Sequence, residues 1–132
     1  MIVVDSSALV AILEHEADAA IYASAIVNAD QLIISAVNVH ETGMVIRARR
    51  GAAAERRMWR FLREDNDFEI APFDERQARE ALSAFARYRK GLHPKARLNL
   101  ADCAAYALAK TMNVPLLFKG VDFTATDITA VV

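Results

Sequence analysis

Residues 2–13 read IVVDSSALVAIL, and the order of residue types in that stretch decides the fold class. Ile2, Val3 and Val4 form a β-branched run suited to a strand. The run stops at an acid, Asp5, and Ser6 and Ser7 can then cap the apolar stretch Ala8 to Leu13 as a helix. Strand, acid, helix is the opening of an α/β unit, and the pattern continues outward from it. A helix over Ala17 to Ala29 precedes a strand at Leu32 to Ile34 and a helix opening near Ser35. Gly51 separates that helix from another over Ala52 to Arg63, and Phe68 to Ala71 reads as a short strand. Pro72 and Asp74 mark a helix running to Arg89, and Gly91 to Arg97 is the best loop candidate. Asn99 caps a helix to Met112, Pro115 to Phe118 is a buried strand, and a last strand is expected near Ile128 to Val132. Strands alternating with helices imply an α/β sandwich on a mostly parallel sheet of about four or five strands.

Composition agrees with one such domain over residues 1–132: 55% of the residues are hydrophobic, 25% are charged, and there are only 4 glycines and 3 prolines. Linker-rich, collagen-like and repeat architectures are excluded on those numbers. The single cysteine, Cys103, can form neither an internal disulfide nor a multi-cysteine zinc site. The apolar runs are too short to span a bilayer and the opening residues have no basic region, so the expectation is a cytoplasmic protein with no membrane association.

Acids placed just after strands carry weight, because in open α/β sheets the functional crevice lies beyond the carboxyl ends of the strands. Asp5 is such a residue, and Asp122 follows the strand ending at Phe118 across the Lys119-Gly120 turn. Each could equally serve as an ordinary turn or capping residue. Two helical acids stand where a core-facing helix should be apolar. The spacing of Val37, Met44, Val45 and Ala48 leaves one inward place for Glu41, and Asp102 shares a face with Ala105, Ala109 and Met112. Buried carboxylates need cations, hydrogen-bond donors or a metal. A salt bridge, or for Asp102 a helix N-terminus, would also serve. Asp5, Glu41, Asp102 and Asp122 come from four separate elements, and all-oxygen donors of this kind suit Mg²⁺ or Mn²⁺ rather than Zn²⁺. Such ions bind phosphodiester oxygens and activate water for in-line attack.

The net charge of −1 conceals an asymmetry. Residues 1–46 hold six acids and neither Lys nor Arg, whereas residues 47–63 hold seven arginines: Arg47, Arg49, Arg50, Arg56, Arg57, Arg60 and Arg63. Five more cations, Arg87, Arg89, Lys90, Lys95 and Arg97, follow in residues 87–97. An acidic pocket beside an arginine-rich rim is suited to chemistry on a polyanion such as RNA, with Arg47, Arg50, Arg56, Arg57 and Arg60 as the RNA-binding candidates. The plainer alternative is a solvated helix face, with Glu55 and Glu64 as pairing partners.

Four segments, IVVDSSALVAIL at 2–13, SAVNVHETGMVI at 35–46, LNLADCAAYALAK at 98–110 and PLLFKGVDFTATDI at 115–128, together resemble the PIN-domain ribonucleases, in particular the VapC-type toxins of prokaryotic toxin–antitoxin pairs. The resemblance implies a PIN-like three-layer α/β/α sandwich. It also implies metal-dependent endoribonuclease action on tRNA or other structured RNA, leaving a 3′-hydroxyl and a 5′-phosphate. By resemblance, Asp5, Glu41 and Asp102 match the three principal metal-binding acids. Asp122 matches a more variable fourth, with Asp127 the alternative because Val121 stands where many members carry an acid or amide. Ser7 and Asn99 match supporting polar positions, and Ala101 stands where glycine is frequent. The family further implies a homodimer and a VapB-like antitoxin whose C-terminal segment enters the active site, commonly with an arginine.

His15, His40 and His93 form no zinc spacing with Cys103, which is more simply a small buried hydrophobe. Trp59 could stack on a base or pack, and Lys119 could contact a phosphate or one of the acids. A receiver domain would want an acidic pair after the first strand, and a haloacid-dehalogenase-like phosphatase a second Asp at position 7, which is Ser. The remaining rival is a catalytically inactive PIN-like module that binds RNA or a partner.

Overall fold

The computed structural model describes residues 1–88 and 98–132. Strands β1 (Ile2–Val4), β2 (Leu32–Ser35), β3 (Phe68–Ala71) and β4 (Leu116–Leu117) form one sheet in the order β3-β2-β1-β4, and every neighbouring pair is parallel. All four carboxyl ends therefore lie along one edge. The chain leaves β1 toward β2 and β3 on one side and returns to the other side of β1 as β4. The switch point, where an α/β sheet opens its crevice, thus lies between β1 and β4.

Alternation along the strands builds two cores. Val3, Ile33 and Leu116 face one way, into a cluster with Ala81, Ala84, Cys103, Tyr106 and Leu108. That layer consists of α5 (Glu75–Tyr88) and α6 (Leu100–Met112). Ile2, Val4, Ile34 and Leu117 face the other way, against Leu9, Tyr22, Ile26, Val39, Met58 and Leu62. That layer consists of α1 (Ser6–Leu13), α2 (Ala19–Asn28), α3 (Ala36–Arg50), α4 (Ala52–Arg60) and the helical turn Phe61–Asp65 that carries Leu62. Covering both faces explains why the strands read as unbroken apolar runs. The result is the three-layer α/β/α sandwich expected from the sequence.

Helix α6 is buried continuously from Ala101 to Ala109. Its run of small side chains lets it lie between α5 and the sheet while also touching α3. Tight seating of α6 sets where its first turn ends up relative to β1, and that turn carries Asp102.

Four expectations change. The cap of α1 is Asp5, whose carboxylate accepts from the Ser7 backbone N–H, rather than Ser6 or Ser7. The helix expected over Ala52 to Arg63 is α-helical only to Arg60 and ends in a π-helical turn, Phe61–Asp65, in which the Asn66 N–H reaches the Phe61 carbonyl. No fifth strand forms near Ile128 to Val132. There, a single parallel bridge joins Leu116 to Ala130, because β4 is only two residues long and offers no further ladder to extend. The inward face of α3 is also out of phase with the expected apolar stripe. The loop expected at Gly91 to Arg97 and the cations Arg89, Lys90, Lys95 and Arg97 lie outside the described residues. Among the described residues, no helix is long and apolar enough to cross a membrane.

Candidate active site

Asp5 emerges from β1 directly into the N-cap of α1 and is only 2% exposed. Its Oδ2 accepts both the Ser7 N–H at 3.0 Å and the Ser7 hydroxyl at 2.5 Å. The same hydroxyl accepts the Lys119 backbone N–H at 2.9 Å, so Ser7 ties Asp5 to the segment leaving β4. The Asp5 N–H reaches the Leu117 carbonyl at 2.9 Å, fixing the carboxylate beside the switch point.

Asp102 occupies the third residue of α6 and is 8% exposed. Asn99 caps the helix by accepting the Asp102 N–H at 2.9 Å, while Asp102 Oδ2 accepts the Asn99 N–H at 3.0 Å. This reciprocal capping box holds the side chain in one rotamer. It occupies only one carboxylate oxygen, since among the described residues Oδ1 receives no protein hydrogen bond.

The two carboxyls influence each other. Burial pushes Asp5 up to about 6, against the opposing Ser7 hydrogen bonds, and the charge of Glu41 raises it further. Burial pushes Asp102 up to about 7, the Asn99 hydrogen bond opposes this, and the charges of Asp5, Asp122 and Glu41 add to it. Asp102 therefore lies within electrostatic reach of the other three acids singled out in the sequence, and Asp5 within reach of Glu41. Among the described residues, none of the four forms an ion pair with Lys or Arg.

Glu41 is half-buried and flanks the core rather than entering it. The expected stripe of Val37, Met44, Val45 and Ala48 is not the buried face of α3, and Met44 is 55% exposed. The buried residues are Asn38, Val39, Thr42 and Ile46, a set one residue out of phase with the expectation. The apolar pattern misled because two of those buried positions are polar. Asp122 is also half-buried, in the turn after β4, and the neighbouring Phe123 anchors that turn by packing on Phe118 at 5.0 Å between ring centroids. Asp127 is placed elsewhere. It accepts the Tyr106 hydroxyl and, at 3.0 Å, the Lys110 ammonium, near the far end of α6 from Asp102.

Asn38 is the residue that the sequence did not single out. It is fully buried, and its amide N–H₂ group faces Asp5 Oδ1 at 3.3 Å, the Ser6 hydroxyl at 2.8 Å and the Ala101 carbonyl at 3.2 Å. The available signal was an amide three residues before Glu41 on a helix facing a sheet.

Among the described residues, no three His, Cys, Asp or Glu side chains are close enough to form a ready-made coordination shell. A structural Zn²⁺ site is a closed shell of four such ligands. Mg²⁺ makes a different demand: it dehydrates reluctantly, keeps several waters and is held by one or two carboxylates plus substrate phosphate oxygens. Buried oxygen donors whose charges repel and that, among the described residues, pair with no Lys or Arg fit such an ion.

The arginines are not equivalent. Arg47 pairs with Glu55 at 3.1 Å, and Arg50 with Glu14 at 3.1 Å, with Arg49 at 3.6 Å from the same acid. Arg56, Arg57 and Arg60 are exposed and, among the described residues, form no ion pair. Arg50, Arg57 and Arg60 line a cavity of about 510 Å³ floored by Ile12, Leu13, Ile46 and Phe61. Lys119 turns its ammonium to Glu16 at 2.5 Å and Asp18 at 2.9 Å, so the salt-bridge alternative describes it, with acids outside the cluster. Trp59 donates its indole N–H to Glu55 at 3.3 Å. Cys103 is buried, and its thiol is pushed up to about 11 by burial and then by Asp102, which leaves it inert. His40 is exposed, and His93 lies outside the described residues.

The PIN domain family matches residues 2–128. Two proteins of Mycobacterium tuberculosis are similar over nearly their whole length. Ribonuclease VapC28 is 42% identical over 126 residues, covering 96% of this chain and 94% of the relative. Ribonuclease VapC30 is 44% identical over 131 residues, covering 98% and 97%. Among solved structures, M. tuberculosis VapC20, described as a sarcin–ricin loop cleaving toxin, superposes with a TM-score of 0.81 at 16% identity, covering 99% of this chain and 98% of that one. VapBC2 from Rickettsia felis, solved with a DNA fragment from its promoter, gives 0.71 at 13% identity, covering 98% and 96%. At those identities the structural likeness speaks for the fold.

Proposed function

The chain belongs to the PIN-domain family and, within it, to the VapC ribonucleases, and on that premise we propose that it is the toxin of a type II toxin–antitoxin pair, a Mg²⁺- or Mn²⁺-dependent endoribonuclease acting on tRNA or other structured RNA. The observation that carries this reading is the pair Asp5 and Asp102. They are two buried carboxyls on separate elements, both near the carboxyl edge of a parallel sheet at its switch point, and both held above the ordinary range with no ion pair to Lys or Arg among the described residues.

Asp5 and Asp102 would hold the ion, with Glu41 and Asp122 at its margin. When bound, the ion would offset the charge of the phosphodiester and ease loss of a proton from water, making it a better nucleophile toward phosphorus. The protein's own contribution is orientation. Ser7 takes up the lone pairs of Asp5 Oδ2, and Asn99 those of one Asp102 oxygen, leaving the remaining oxygens of both acids directed by fixed rotamers. Glu41, half-buried and within electrostatic reach of Asp5 and Asp102, would be the acid that accepts a proton from an attacking water. Arg56, Arg57 and Arg60 give the polyanion a cationic approach, while Arg47 and Arg50 first have to leave Glu55 and Glu14.

The partners under this reading are the RNA substrate, a VapB-like antitoxin covering the acidic site, and a second copy of the chain as a homodimer, all in the cytoplasm. The test is cleavage of labelled total tRNA and of a plain single strand by antitoxin-free protein in Mg²⁺, Mn²⁺ or excess EDTA, beside Asp5→Asn. Metal-dependent cutting that is lost in the variant is the expected result. Absence of cutting with either ion on any RNA, or identical behaviour of the variant, leaves the inactive binding module as the better account.

A further inference from the structure

Asn38 has more acceptors than hydrogens. Its two amide hydrogens face three oxygens: the Ser6 hydroxyl at 2.8 Å, the Ala101 carbonyl at 3.2 Å and Asp5 Oδ1 at 3.3 Å. The Ser6 hydroxyl in turn donates to the Asn38 backbone carbonyl at 3.3 Å, so α1 and α3 are cross-linked in both directions. Rotating the amide by half a turn would set its oxygen against a carboxylate and a carbonyl, so its orientation is fixed by its surroundings. In that orientation Asn38 Oδ1 is buried and, among the described residues, has no hydrogen-bond partner. An unmet buried acceptor is costly, and the arrangement persists because the N–H₂ side is worth more.

The three acceptors belong to the two elements that carry the buried acids. Asp5 and Ser6 begin α1, and Ala101 immediately precedes Asp102 on α6. We infer that Asn38 is a positioning residue for RNA cleavage: its amide clasps the first turn of α1 to the first turn of α6 and so sets the separation of the Asp5 and Asp102 carboxylates. This rests on the nuclease reading above. The clasp explains how two like-charged groups stay side by side, since their repulsion would otherwise drive the helix ends apart. It also accounts for a fully buried amide at a place where α3 could have carried an aliphatic residue.

The test compares Asn38→Ala and Asn38→Ser with Thr42→Val. Thr42 is as buried as Asn38, one turn further along the same face of α3, with its hydroxyl unpartnered among the described residues, so it controls for loss of a buried polar group that makes no such clasp. For each protein, Tm, Mn²⁺ affinity by calorimetry, and kcat and KM for RNA are measured at a temperature where all are folded. The expected result is a loss of about tenfold or more in Mn²⁺ affinity and in kcat for Asn38→Ala, with KM unchanged. Asn38→Ser, whose cavity admits a water that can bridge the same acceptors, falls between Asn38→Ala and wild type and keeps the comparison open if the alanine variant does not fold. Thr42→Val keeps wild-type affinity and kcat. Wild-type affinity and kcat in folded Asn38 variants would overturn the inference while leaving the nuclease reading intact. A wild-type protein that neither binds Mn²⁺ nor cuts RNA would overturn both.

Discussion

The carboxylate of Asp5 raises the pKa of Asp102 although the two residues are 97 positions apart in the chain, because β1 and the first turn of α6 meet at the switch point of the sheet. The metal-free protein therefore stores like charge in a buried place. That stored repulsion makes the site selective for a cation and sets how the apo protein responds to pH.

The sign of that response follows from the direction of both shifts. Asp5 moves from 3.8 to about 6 and Asp102 from 3.8 to about 7, so between those limits the folded chain binds more protons than the unfolded one. Their contribution to stability is fully present below the unfolded value and is lost as pH rises through the folded values, at about 1.4 kcal/mol per pKa unit. Asp102→Asn keeps an acceptor for the Asn99 N–H and removes the charge. Its metal-free Tm should exceed that of wild type at about pH 8, with the gap closing toward pH 4, as thermal melts in EDTA would record. A variant that melts many degrees below wild type at the higher pH would show that the charge is compensated.

Metal binding should reverse the penalty. Mn²⁺ at about one hundred times its dissociation constant adds about 2.7 kcal/mol, read as a rise in Tm that EDTA abolishes. Protons compete for the same oxygens, so the rise should be larger at pH 8 than at pH 6. Asp5→Asn should show little of it. An equal rise in Asp5→Asn would place the ion elsewhere.

Much of the fold and site is legible in the sequence. IVVD followed by an apolar run marks β1, Asp5 and α1, and Asn99 three residues before Asp102 marks the start of α6, because capping chemistry is local and leaves a local sign. The π-helical turn after Arg60 and the phase of α3 are not legible. In α3 the residues turned to the interior include Asn38 and Thr42, whose burial is compensated or tolerated by groups distant in sequence, and hydrophobic periodicity has no means of registering them. The partition of the arginines is hidden for the same reason: Glu14, which engages Arg49 and Arg50, is the C-cap of α1, distant from them in sequence.

Arg56, Arg57 and Arg60 should contribute to RNA affinity through counterion release. Replacing all three with Glu should weaken binding and reduce the slope of log K against log salt by about 0.7 for each phosphate no longer neutralised, about 2 in all. Arg47→Gln should change the slope less, because Glu55 already neutralises that side chain. Filter binding across a salt series measures both. An unchanged slope in the triple variant would assign these arginines to a protein partner or to solvent.

Asp122 and Asp127 compete in the sequence for the fourth acidic position, and their surroundings separate them. The charge of Asp122 acts on Asp102, whereas Asp127 is held below the ordinary carboxylate range by the Tyr106 hydroxyl and Lys110. Asp127 therefore anchors the C-terminal segment to α6, and its contribution to stability is present above its unfolded pKa and lost only on acidification. Asp122→Asn should lower kcat by about tenfold with little change in Tm, while Asp127→Asn should lower Tm at neutral pH and leave cleavage per folded molecule unchanged. Steady-state cleavage beside thermal melts decides between them. The opposite pattern would move the fourth acid to Asp127 and require the turn after β4 to rearrange when RNA binds.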